Sequence, residues 1–169
     1  MITSLLFLSI SLGNCHLTAE ELELANALIS DKRHIQKPLN CDQDLTWLAR
    51  ARAAMVAQRG KLSPEIVPGM KINNFVALSG YPLLDQDNST PINSTEVVVG
   101  GPEKGTDTWV TITESMVHRS LVLREDTAYQ AFDHFGVGHF YKWYSPHVDY
   151  WVIVYAAKAP QTAEQNTAP

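Results

Sequence analysis

Two runs near the end of the chain, Phe132–Tyr141 and Tyr150–Ala156, limit the fold more than any other feature. Both are rich in aromatic and β-branched residues, the types that fit a pleated, half-buried surface. The connection between them carries Ser145-Pro146, a turn signal. Together they predict a long antiparallel β-hairpin. His134 and His139 fall on its first arm, and His118 lies just upstream of it. The two arm histidines are an odd number of residues apart. A regular strand therefore turns them to opposite faces, unless Gly136 or Gly138 introduces a bulge. The aromatic set Phe140, Tyr141, Trp143, Tyr144, Tyr150 and Trp151 could line a groove, but alternation commits part of it to the core.

The first half of the chain reads as helix. Thr18-Ala19-Glu20-Glu21 is a capping box, in which each side chain satisfies the other's backbone amide. Leu24, Ala25, Leu28 and Ile35 recur near helical spacing, and Pro38 ends a helix expected over 18–37, with Lys32, Arg33 and Lys37 at its negative end. A second helix is expected over 42–59. It opens on Asp42 and Asp44, carries the core stripe Leu45, Leu48, Ala49, Arg52, Met55 and Val56, and closes at Arg59-Gly60. Asn73-Asn74 can cap a short third helix over 75–79, before Gly80. The stretch 81–105 is irregular, with Val97-Val98-Val99 as a short buried segment. Helices ahead of alternating strands predict an α/β fold with helices on both faces of the sheet.

The 169 residues fit one domain, and 45% hydrophobic content can fill one core. A net charge of −5 leaves no basic footprint for nucleic acid. No apolar run after the N-terminus is long enough to span a bilayer.

Met1–Leu12 reads as the apolar core of an export signal, with cleavage after Cys15, a domain over 18–158 and a disordered tail over 159–169. A lipid on Cys15, or retention in a periplasm, are the rival destinations. The cysteines leave two readings open: Cys41 as a lone buried thiol once Cys15 is cleaved away, or a Cys15–Cys41 disulfide. Asn88-Ser89-Thr90 and Asn93-Ser94-Thr95 have the form of glycosylation acceptors.

Four segments in order resemble the CAP superfamily, which includes cysteine-rich secretory proteins, venom allergens, pathogenesis-related proteins and bacterial SCP-like proteins. The resemblance covers about 22–157. Its first segment is Leu39-Asn40-Cys41-Asp42-Gln43-Asp44-Leu45, followed by Ala49, Ala53, Met55 and Arg59-Gly60, with Cys41 where the family usually has tryptophan. The others are Ala77-Leu78-Ser79-Gly80-Tyr81, then Ser115–Leu123 around His118-Arg119, then Phe132–Gly138 with Tyr150–Ala156. The resemblance implies an α-β-α sandwich around a small antiparallel sheet, and an extracellular home. It also implies a cleft in which many members hold two histidines and two glutamates, some with a divalent cation.

On that pattern His118 matches the second histidine, Glu114 lies close to one glutamate, and Glu96 roughly matches the other. The first histidine is absent: Lys61-Leu62-Ser63-Pro64-Glu65 stands in its place. Zinc is usually anchored by imidazole or thiolate at fixed geometry. The expectation is therefore a degraded cleft of Glu96, Glu114 and His118, with no metal and no other cofactor, in which His118 ties helix to strand. His134 and His139 are the additional candidates, each satisfied locally. His147 is expected in an exposed loop, and His16 and His34 on the surface. The function expected is binding of an extracellular partner, lipid or protein, or a defence or structural role. The competing reading is a metal-dependent or serine-type hydrolase, with Ser115, His118 and Glu114 as its triad.

Overall fold

The computed structural model describes residues 12, 13, 15–84 and 94–160. The 1–11 part of the export signal, Asn88-Ser89-Thr90, the acceptor Asn93 and the 161–169 part of the tail lie outside the described residues.

Thr18 opens α1 (Ala19–Ser30) with the capping box that the sequence predicts: its hydroxyl accepts from the Glu21 amide, and the Glu21 carboxylate accepts from the Thr18 amide. The helix ends at Ser30, well before Pro38. Asp31 causes the early stop. Its carboxylate accepts from the Arg33 amide and guanidinium and from Trp109 Nε1, a local turn that outcompetes another helical turn. Ile35, expected on the helical stripe, is consequently exposed.

Asp42 caps α2 (Gln43–Arg59) by accepting from the Asp44 and Leu45 amides, and Gly60 closes it at φ 65°, a left-handed conformation suited to glycine. The third helix, α3 (Ile72–Leu78), begins three residues earlier than expected. Asn74 does not cap from outside. It sits in the first turn and reaches back to the Lys71 amide, while Asn73 accepts from Ser94. Then follow α4 (Gly105–Glu114) and α5 (Met116–Val122).

The main sheet contains β1 (Asn40–Cys41), β4 (Ser94–Gly100), β5 (His134–Tyr141) and β6 (Asp149–Ala156), in the order β1-β5-β6-β4. β5 and β6 form the predicted hairpin, antiparallel and in unbroken register from His134↔Ala156 to Tyr141↔Asp149. β4 pairs antiparallel with the other side of β6, and β1 lies parallel to the start of β5. A separate ribbon joins β2 (Glu65–Val67) to β3 (Met70–Lys71).

Every residue of β6 is buried, because helices cover both faces of the sheet. Trp151, Ile153 and Tyr155 pack with Leu24, Leu28, Trp109 and Ile112 on the α1/α4 side. Val152, Val154 and Ala156 pack with Leu45, Ala49 and Ala53 of α2 on the other. Each large side chain buried this way contributes roughly 1.5–3 kcal/mol. Gly136 and Gly138 let α2 lie directly on the β5 backbone: a Cβ at these positions would come within 2.1 Å of Leu45 C and 2.3 Å of Ala49 C. They serve close packing, and the strand carries no bulge there. The architecture is the expected α-β-α sandwich.

Cys15 and Cys41 form a disulfide that ties the segment before α1 to the start of α2. Of the two readings left open, this is the disulfide. Cleavage after Cys15 would remove half of it, and the bond occupies the sulfur that a lipid anchor would need.

Candidate functional site

The sheet separates the residues expected to share one cleft. Glu96 points from β4 to the α2 face, where Arg52 grips it through Nε at 2.9 Å from Oε2 and Nη2 at 2.9 Å from Oε1. Arg52 also donates to the Ser63 carbonyl. Burial pushes the Glu96 carboxyl up, with Arg52 pulling against it. Glu114 is exposed at the end of α4. His118 lies in α5, in the layer on the opposite face of the sheet. Burial lowers its pKa, and its ring makes no hydrogen bond to the described residues. The helix-to-strand tie expected of it is absent among those residues. Ser115 is the N-cap of α5: its hydroxyl accepts from the His118 amide at 3.5 Å, which gives the proposed nucleophile a structural role.

His134 and His139 face opposite ways, as the odd offset requires. His134 Nδ1 lies 2.7 Å from the Asp133 carboxylate. His139 is the more built-in of the two. Its Nε2 is 2.7 Å from Asp149 Oδ1, and its ring stacks on Trp151 with centroids 4.1 Å apart. Trp151 is fixed in turn by Nε1 donating to the Pro102 carbonyl at 2.8 Å. The His139 amide lies beyond the reach of short β1, and the buried Glu21 carboxylate accepts from it at 3.3 Å. Arg50 clamps the same carboxylate through two nitrogens, at 2.8 and 2.5 Å. One glutamate thus caps α1, satisfies a strand edge and pairs with α2.

The His139–Asp149 pair forms the floor of a cleft of about 760 Å³ at the hairpin end of the sheet. Glu20 and Glu23 of α1 and Glu103 and Lys104 of the β4–α4 connection form its walls, with Tyr141 and His147 from the hairpin. Glu20 titrates below its ordinary value through its own backbone amide and the Thr18 hydroxyl, with a small pull from His139. The described lining residues carry four carboxylates and no serine, threonine or cysteine. Among the described residues no three His, Cys, Asp or Glu side chains are grouped to hold a metal ion.

His147 is half-buried rather than loop-exposed, with its ring against Gly100 and edge-on to Tyr150. His34 is also not a plain surface residue: it is half-buried, with Nε2 2.9 Å from the Leu28 carbonyl. Sequence reasoning found His139, placed Trp151 in a possible aromatic groove and Glu21 in the capping box, and missed Asp149 and the grouping of these residues. The hairpin register carries the missing signal: with His139 opposite Trp151, Asp149 is the diagonal neighbour on the same face.

This arrangement of layers and sheet defines an SCP-like fold. The structure superposes on an extracellular protein containing an SCP domain from Bacillus anthracis, with TM-score 0.63 and 14% identity, covering 82% of this chain and 40% of that one. The chain thus spans well under half of that protein's length. It also matches an outer surface protein of Borrelia burgdorferi with TM-score 0.62 and 14% identity, covering 85% of this chain and 96% of that one. No family model and no curated protein matches the sequence. No described helix is long and apolar enough to cross a membrane.

Proposed function

We propose that this chain is an exported or surface-displayed SCP-like binding domain, and that its ligand cleft is the one floored by His139 and Asp149. The observation that carries this reading is the composition of that cleft: three glutamates and Tyr141 around a fixed His–Asp pair, with no serine, threonine or cysteine in the described lining. Such a surface attracts a basic segment of another protein, through charge and through cation–π contact with Tyr141. Export is supported by the Cys15–Cys41 disulfide, since such bonds persist in oxidising compartments. Two of the matched structures are an extracellular protein and an outer surface protein. An exported form that keeps the bond retains Cys15.

The hydrolase reading has less support. Glu96 is engaged by Arg52 on the far face of the sheet from His118, and Ser115 caps a helix. The test is calorimetric titration with tetralysine and with tetraglutamate at low salt, beside an ester-hydrolysis assay. Binding of tetralysine alone, weakened by Glu23→Lys and Glu103→Lys, is the expected result. Ester turnover that disappears in His139→Ala or His118→Ala, without tetralysine binding, would replace this reading with the hydrolase.

A further inference from the structure

Arg124 is the second fully buried arginine of this protein, and its environment differs from that of the first. Arg52 is neutralised by Glu96. Arg124 is 1% exposed and makes no ion pair with any described residue. Its two terminal nitrogens donate to backbone carbonyls, Nη1 to Phe132 at 2.7 Å and Nη2 to Lys37 at 2.6 Å. Its Nε is buried and has no acceptor among the described residues. A guanidinium has five N–H donors and a permanent charge, so two neutral carbonyls leave donors unused, and the Asp133 carboxylate offsets the charge only at a distance. Leaving a charge buried without a counter-charge is costly.

Arg124 borders a pocket of about 250 Å³, walled also by Ile29, Asp31, His34, Lys37 and Leu39. His34 presents a second orphan. With Nε2–H donating to the Leu28 carbonyl, Nδ1 is a bare acceptor, buried and without a partner among the described residues. The charged groups around the imidazole are Asp31, Arg33, Lys37 and Arg124. Asp31, the one carboxylate in the wall, is engaged by Arg33 and by Trp109 Nε1.

We propose that this pocket is a binding site for a small oxyanion, a carboxylate or a phosphate, held between Arg124 and His34. The anion supplies the close counter-charge that Arg124 lacks, and its binding includes a side-chain shift that opens Arg124 Nε and His34 Nδ1, both closed to solvent in the free protein, to the pocket. His34 takes up a proton as the anion binds, so Nδ1–H becomes a second donor. Burial and the charge of Arg124 lower the imidazole pKa in the free protein, and a bound anion opposes both effects. The pocket is smaller than a typical drug-sized site, which limits the ligand to a compact anion or the anionic end of a longer one. It lies among α1, the 36–39 segment and Arg124, and involves no residue of the His139 cleft.

The test is an NMR titration of the intact chain with acetate and, separately, with inorganic phosphate, following the Arg124 Nε–H and His34 ring signals. Saturable shifts of both are expected, and the tighter of the two anions identifies the preferred source chemistry. Lys37→Glu should weaken binding at least tenfold; its side chain is exposed, so the variant keeps its fold. Arg124→Lys keeps the charge without the planar fork and should weaken binding similarly. Acetate affinity should fall as pH rises through the His34 titration. The proposal is overturned if neither anion moves these signals up to about 50 mM, well above a millimolar Kd. Equal shifts from sodium chloride, unchanged affinity in Lys37→Glu, or a flat pH profile for acetate would also overturn it.

Discussion

Arg52 and Glu96 form a two-point ion pair across the interface of α2 and β4, with side chains 1% and 6% exposed. Removing one partner of such a pair strands the other charge, at a cost of roughly 3–5 kcal/mol, whereas replacing both with apolar residues is often neutral. Arg52→Met should therefore destabilise the protein by that amount in urea unfolding at neutral pH. Arg52→Met with Glu96→Leu should recover most of the loss. Burial already raises the Glu96 pKa, and losing Arg52 raises it further. Stability lost on Arg52→Met should then be smaller at pH 5 than at pH 8, because protonation removes the stranded charge. Equal losses in the single and double variants would show that the pair carries no such coupling.

The disulfide closes a loop with a sequence separation of 26. Chain-entropy reasoning gives about 3.5 kcal/mol for a loop of this size. The Cys15→Ser/Cys41→Ser protein should lose stability of this order, visible as a lower urea midpoint. Reduction of the parent should reproduce the effect, and a midpoint insensitive to reductant would contradict it.

The fold was legible where local chemistry and tertiary demand agree. The Thr18 capping box, the Asp42 cap, Gly60 and the hairpin arms all read directly, because each is fixed by neighbours in the chain. The end of α1 was not legible, since Asp31 stops it with help from Trp109, far along the chain. The site was less legible still. Family spacing brought Glu96, Glu114 and His118 together, but residue alternation on β4 sends Glu96 to the α2 side. No local pattern marks Arg124 as buried, because its partners are carbonyls of Lys37 and Phe132.

Gly136 and Gly138 allow α2 to rest on bare strand backbone. Backbone atoms of Leu45 and Thr46, at 2.1 and 2.2 Å from an added Cβ on Gly136, cannot move as a side chain would. Overpacking of this kind costs roughly 1–3 kcal/mol, and more where the backbone must shift. Gly136→Ala should lower the melting temperature clearly, whereas Gly69→Ser, with no atom within 4 Å of the added Cβ but φ 80°, should show only the smaller backbone strain. A melting temperature for Gly136→Ala equal to that of Gly69→Ser would contradict the direct helix–strand contact.

Two partly buried imidazoles, His34 and His118, titrate below the ordinary value of 6.5 because burial disfavours their charged forms. For His34 the Leu28 carbonyl opposes the shift and the Arg124 charge adds to it. In the unfolded chain both return to the ordinary value, so between the folded and unfolded pKa values the unfolded state binds more protons. Stability then rises with pH across that window. Their contribution is complete above the unfolded value and is lost as pH falls below it. Urea unfolding in chloride buffer should give a lower midpoint at pH 5.5 than at pH 7.5. His118→Gln should flatten that slope, since glutamine keeps a polar side chain but binds no proton. A His118→Gln profile that keeps the full parental slope would show that burial of this imidazole is not linked to folding.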